Sequence, residues 1–203
     1  MKSHQLTAPL SEQSLLAMEA GDCFTLTGLA FTCRPLAYDR LLNSEDGERV
    51  SKRLLDLQAN VLFHCGPLVK KEGSEWRMLG MVPMPSWLAG EERISKAIQT
   101  LGLRVVIGKG TLYGLRELLK SARCIHAVCA GNFSDYALKV KKVIEGDWLD
   151  LGLPEALWAF EVEEFGPFIV ETDAKGNSLY KAVDEVFKSE AESILKELGI
   201  KLD

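Results

Sequence analysis

With 203 residues, 47% of them hydrophobic, and a formal charge of −5 at pH 7, the chain is expected to form one well-packed domain over residues 1–203 without disulfides or metals. The acidic balance and the lack of any Lys/Arg-rich block argue against nucleic acid or an anionic membrane as the main partner. No stretch approaches the roughly 18 uninterrupted apolar residues of a membrane span, and the opening MKSHQLTAPL lacks the apolar core of a secretory signal, so a cytoplasmic location is expected.

Residues 22–33 read as two short strands hinged at Gly28. Pro35 then suits the first turn of a helix reaching about Leu42, which leaves Arg34 on a strand-to-helix junction. Asn43 to Gly47 reads as a polar loop, followed by a helix with Val50, Leu54, Leu55 and Leu57 as its apolar stripe. A strand over 61–65 closes at Gly66-Pro67, residues 70–75 form a charged hairpin turn, and a strand over 76–82 runs into Pro83-Met84-Pro85-Ser86-Trp87. Two prolines so close together hold that segment irregular and extended. A helix over 91–100 leads through Gly102 into Val105-Val106-Ile107-Gly108-Lys109-Gly110, and a helix over 111–121 follows.

Glycines on such a turn let the backbone bend sharply. The N–H groups of a helix start would point outward beside the Lys109 ammonium, so the turn suits a carboxylate or phosphate. It is not a nucleotide P-loop: the spacing from Gly102 does not match, and Gly110 stands where that motif needs Ser or Thr. A strand over 124–130, Gly131-Asn132 and a helix over 133–142 repeat the unit, which implies parallel pairing with right-handed crossovers. Strands over 159–165 and 167–172 precede a turn and a long final helix capped by Asn177 or Ser178. That helix places Leu179, Val183, Val186, Phe187, Ile194, Leu195 and Leu198 on one face, which reads as core packing.

The five cysteines, Cys23, Cys33, Cys65, Cys124 and Cys129, are odd in number and lie in apolar runs, as reduced buried thiols do. Neither they nor His4, His64 and His126 show metal-ligand spacing, so no metal is expected on this chain. A Cys65 nucleophile with His64 as its base is disfavoured, because neighbours on a strand point to opposite faces.

The segments TGLAFTCRPLAYDRLL, FHCGP, LGLRVVIGKG, PEALWAFEVEEFGPFIV and TDAKGNSLY, in that order, resemble the β subunit or C-terminal domain of iron–sulfur class I fumarases and L-tartrate dehydratases over about residues 5–185. The resemblance implies an α/β fold: a single three-layer β/β/α "swivelling" domain with mixed sheets. It also implies reversible hydration and dehydration of a small dicarboxylic hydroxy acid of the fumarate/malate or tartrate class. The work would be done in an oligomer with an α subunit that holds a 4Fe-4S cluster on its own cysteines, and this chain alone would be inactive.

Matched residue by residue, the resemblance makes Arg34 and Lys109, the latter between Gly108 and Gly110, ligands of the substrate carboxylates. Arginine offers a bidentate fork and lysine a point charge. A third motif departs from the family. Where relatives carry Gly-Pro-Thr-Thr, two residues and Arg-Met, this chain has Met84-Pro85-Ser86-Trp87-Leu88-Ala89-Gly90-Glu91. Ser86 keeps a hydroxyl and is the candidate proton-abstracting group. Gly90 replaces the arginine, and Arg93, one helical turn on, is the candidate substitute. The family's Arg-Asp pair is here Arg34-Pro35, and its following histidine is Tyr38. The alternative reading is a non-catalytic small-anion-binding or regulatory relative with an eroded catalytic loop.

Overall fold

The computed structural model describes residues 1–198. In chain order the elements are β1 (Ser3–Thr7), α1 (Glu12–Leu16), β2 (Cys23–Thr32), α2 (Pro35–Asn43), α3 (Glu45–Asp56), β3 (Val61–Phe63), β4 (Cys65–Glu72) and β5 (Glu75–Pro83). There follow α4 (Glu91–Leu101), β6 (Val105–Gly108), α5 (Arg116–Ala122), β7 (Ile125–Cys129), α6 (Phe133–Leu138), β8 (Val140–Asp147), β9 (Leu157–Thr172) and α7 (Leu179–Glu197).

Strands β2, β3, β6 and β7 lie side by side and parallel. The long β9 runs antiparallel to both β7 and β2, so the five strands close into a small barrel-like sheet, with β1 and β8 added at its edges and β4–β5 standing as a separate hairpin. Strands β3 and β6 are buried on both faces, which is why they read as unbroken apolar runs. Val61, Phe63, Val105 and Ile107 join Phe24, Phe160, Phe165 and Phe168 in one core. Leu62 and Val106 join Tyr38, Val50, Ile94, Ile98 and Leu119, from α2, α3, α4 and α5, in the other. The result is a mixed α/β fold of β/β/α layers in which helices back one face of the sheet.

Several expectations are corrected. Gly28 is not a hinge between two strands. β2 runs through it at a φ of 119°, and register shifts in its pairing with β9 absorb the irregularity. The expected polar loop at 43–47 shrinks to Ser44, whose hydroxyl donates to Arg40 O (2.7 Å) and accepts from Gly47 N (3.0 Å) as the cap of α3. Leu55 and Leu57 are exposed, because the buried stripe of α3 runs through Val50 and Leu54.

The helix expected from 111 begins only at Arg116, after a 3₁₀ turn over Tyr113–Leu115, so no helix start abuts Gly110. The helix expected over 133–142 ends at Leu138, and Val140 opens β8, whose Val140 and Val143 lean on the core while its lysines face water. The two strands expected after 159 are one continuous β9.

The largest correction concerns α7. Ser178 caps it, accepting from Lys181 N at 3.2 Å, as the sequence predicts. Its apolar face is not core: Val183, Val186, Phe187, Ile194 and Leu198 are 54–71% exposed. Among the described residues no helix is long and apolar enough to cross a membrane.

Candidate functional site

The site lies at the carboxyl edge of the parallel strands, where open and closed α/β sheets alike present side chains free of the ladder. Thr32, Phe63, Ile107 and Ala127 sit level with one another across β2, β3, β6 and β7. Alternation therefore puts His64, Gly108 and His126 on the same face as Leu62 and Val106, the face the helices cover.

Residues 84–86 dock on this edge as a short extension of the sheet. Met84 N donates to His64 O (2.9 Å), Lys109 N to Met84 O (3.1 Å) and Ser86 N to Lys109 O (3.0 Å). This pairing drops the Ser86 hydroxyl onto Gly108, where a Cβ would overlap it. The first glycine of Gly108-Lys109-Gly110 is thus required by space for a hydroxyl rather than by backbone conformation. Gly110 is the one with a left-handed φ, of 70°, and it packs against the Trp87 indole.

Ser86 Oγ lies 2.9 Å from His64 Nδ1 and 2.9 Å from His126 Nε2. Behind His64, the Tyr38 hydroxyl lies 2.8 Å from Nε2. Behind His126, Glu171 Oε2 lies 3.0 Å from Nδ1, and Glu171 also accepts from Thr172 Oγ1 (2.7 Å) and Ser178 Oγ (2.6 Å). A β-bulge aims this carboxylate. His126 pairs with Thr172 but Ala127 with Val170, so Glu171 is the extra residue of β9. Tyr38, His64, Ser86, His126, Glu171 and Thr172 are all fully buried.

Proton positions follow from the network. Burial works against the charged form of Glu171, yet the hydrogen bonds it accepts from His126, Ser178 and Thr172 hold it below the usual glutamate range. As a carboxylate it only accepts, so His126 Nδ1 carries a proton. Burial pushes His64 down to about 3, so its ring is neutral. Burial also pushes Tyr38 up and keeps it a phenol. One assignment then satisfies every group: Tyr38 O–H donates to His64 Nε2, His64 Nδ1–H to Ser86 Oγ, Ser86 O–H to His126 Nε2, and His126 Nδ1–H to Glu171. The reverse polarity would leave the buried Tyr38 proton without an acceptor.

The cations flank this chain. Arg34, at the end of β2, passes over Gly66, where a Cβ would collide with Nη1, and its Nε makes a 2.7 Å ion pair with Glu155. Arg34 and Lys109 both lie close enough to Cys65 for their charges to act on its thiol, although burial dominates and raises that thiol well above its ordinary range. Lys109 bears in the same way on Cys129, which burial pushes up to about 12. Arg93 does reach Gly90, one turn before it, but its fork is bound to Asp39 at 2.7 and 2.9 Å and ties α4 to α2. Among the described residues no three His, Cys, Asp or Glu side chains come together as a metal site. Cys65, Cys124 and Cys129 belong to no such convergent group, so the described residues offer no set of thiolates placed to hold an iron–sulfur cluster.

His126 and Glu171 stand in no motif given a role, and Tyr38 and His64 lie in matched segments without being assigned to the site. The available signal is a polar residue inside an apolar strand, as in Val61-Leu62-Phe63-His64, Ile125-His126-Ala127 and Ile169-Val170-Glu171.

Fold and site together define a class: an α/β protein with a cation-flanked, hydrogen-bonded site at the carboxyl edge of its sheet. Comparison makes the assignment specific, since the family model "Fumarase C-terminus" matches residues 1–183, and the chain belongs to that family. Over 197 residues, 95% of this chain and 94% of the relative, it is 33% identical to the L(+)-tartrate dehydratase subunit beta of Escherichia coli strain K12. Over the same length it is 32% identical to the protein of that name from Shigella boydii serotype 4.

Proposed function

We propose that this chain is the β subunit of an iron–sulfur hydro-lyase, which adds and removes water across the double bond of a small dicarboxylate of the fumarate/malate or tartrate class. The observation that carries the reading is the Ser86 hydroxyl held between two imidazoles on the same strand edge as Arg34 and Lys109. Dehydration of a hydroxy-dicarboxylate needs its carboxylates clamped and the proton beside one of them removed. Arg34 and Lys109, with the backbone of Gly108 and Gly110, supply the clamp, and Ser86 supplies the base. Arg93 holds the turn that carries Ser86 by tying α4 to Asp39. The cluster belongs to a partner α subunit, because this chain's own cysteines do not suit it, and the pair works as a cytoplasmic oligomer.

The test is co-expression with a cluster-bearing α subunit and assay across malate, tartrate and related hydroxy-diacids. Turnover that falls at least tenfold in kcat/KM in both Arg34→Ala and Lys109→Ala supports the clamp, given about 1.5–3 kcal/mol for each charged hydrogen bond. Wild-type kcat/KM in both variants contradicts it.

One observation favours a second reading. Ser86 is fully buried with its proton and lone pair already engaged, which suits a non-catalytic anion-binding or regulatory relative that retains the network as a brace. A dicarboxylate that raises Tm without any turnover in the presence of the partner selects that reading.

A further inference from the structure

The two imidazoles are equidistant from Ser86 Oγ, at 2.9 Å each, but they are not equivalent. Behind His126 stands a carboxylate at 3.0 Å; behind His64 stands a neutral phenol at 2.8 Å. From this asymmetry we infer that His126 receives the Ser86 proton when substrate is deprotonated, and that Glu171 is the positioning residue that makes His126 the acceptor. The inference deepens the hydro-lyase reading and rests on it.

A serine hydroxyl is a poor base, so its proton must leave as the substrate's arrives. Ser86 Oγ takes the proton from the carbon beside the carboxylate while its own hydroxyl proton passes to His126 Nε2. The C–H electron pair becomes the new π bond, and the neighbouring carbon releases hydroxide with the C–O pair. The step turns His126 into a buried imidazolium, which is costly unless a counter-charge is already in place. Glu171 is that charge, fixed by Thr172, by Ser178 and by the bulge that points it at Nδ1. Its hydrogen bond also keeps the His126 proton on Nδ1, which leaves Nε2 open as the acceptor.

His64 cannot exchange roles with His126. Its Nδ1 already donates to Ser86, and a positive charge on it would face only the Tyr38 hydroxyl and a second imidazole. The His64–Tyr38 arm instead occupies one Ser86 lone pair and orients the hydroxyl towards His126. Glu171 itself touches no substrate. The same arrangement of hydroxyl, imidazole and carboxylate activates nucleophilic serines in hydrolases. Here it would serve proton abstraction.

Two measurements test this. In the full-length chain, 15N histidine spectra are expected to show His126 protonated at Nδ1 and bare at Nε2. A wild-type His126 protonated at Nε2 and bare at Nδ1 overturns the inference without any assay. In the complex with the cluster-bearing subunit, Glu171→Gln keeps the shape and removes the charge. Its kcat is expected to fall about a hundredfold with KM within about twofold. Ser86→Ala inactive with Glu171→Gln at wild-type kcat overturns the relay and leaves the hydro-lyase reading standing. A fully active Ser86→Ala overturns the relay and the role of Ser86 as base while the hydro-lyase reading stands, and a wild-type complex with no turnover overturns that reading and the relay with it.

Discussion

The carboxyl edge of β3, β6 and β7 and the last helix, α7, invert the ordinary rule of burial in opposite ways. Ser86 and His64 at the strand edge, and His126 and Glu171 deeper along β7 and β9, are polar and fully buried, while along α7 Val183, Val186 and Phe187 are apolar and exposed. The first region tolerates burial because each polar group has a partner at hydrogen-bond distance. The second shows that a helical period establishes which face is apolar and says nothing of what covers it. Buried, mutually satisfied polar groups should therefore be sensitive to any change, and the α7 face insensitive.

The sharpest way to break the contrast is at Gly108. An added Cβ must displace the Ser86 hydroxyl from between its two imidazoles. Gly108→Ala is expected to abolish turnover and, as an overpacked core site, to cost about 1–3 kcal/mol in urea unfolding. A variant of wild-type stability and activity would show that the network has slack.

His64 gives the contrast a pH dependence. Its folded-state pKa, lowered from 6.5 to about 3 chiefly by burial, lies below the unfolded value. The unfolded chain therefore binds a proton that the folded chain refuses. The stability is present in full above about pH 6.5 and is lost as pH falls towards 3. Denaturant titrations should show wild-type stability falling more steeply over that window than His64→Gln, by up to one proton of slope. Equal slopes would mean that His64 titrates normally.

A smaller effect is expected at Gly66. A side chain there pushes on the Arg34 fork, not on the sheet, so Gly66→Ala should raise KM by up to about tenfold with Tm little changed. A lower Tm at unchanged KM would place Arg34 outside the substrate clamp. The smallest effect belongs to α7, where Val183→Ser or Phe187→Ser should stay within about 0.5 kcal/mol of wild type in the isolated chain.

Legibility in the sequence follows the same division. Strands β6 and β7 and helix α4 are plain because apolar runs or stripes end near glycine, whereas the strand expected over 61–65 stops at Phe63, and Gly66-Pro67, read as its end, lies inside β4. Strand β8 is not plain, because Val140, Val143 and Ile144 among lysines space like a helix on a strand at the edge of the sheet. Arg34, Lys109 and Ser86 stand out through short motifs that resemble a family. His64 lies in the junction between β3 and β4, His126 on β7 and Glu171 on β9, and only the pairing register and one bulge bring them to Ser86. Gly108 shows the limit of motif reading: its presence is visible in the sequence, but its reason is a hydroxyl delivered from residue 86.

The central claim is that Ser86 is the working hydroxyl of a hydro-lyase subunit. The most direct measurement is the steady-state dehydration of hydroxy-dicarboxylates by the chain in complex with its cluster-bearing partner, wild type against Ser86→Ala. The account predicts a wild-type complex that turns over and a Ser86→Ala complex that still binds substrate while kcat falls at least about a hundredfold. An unchanged kcat in Ser86→Ala would contradict it.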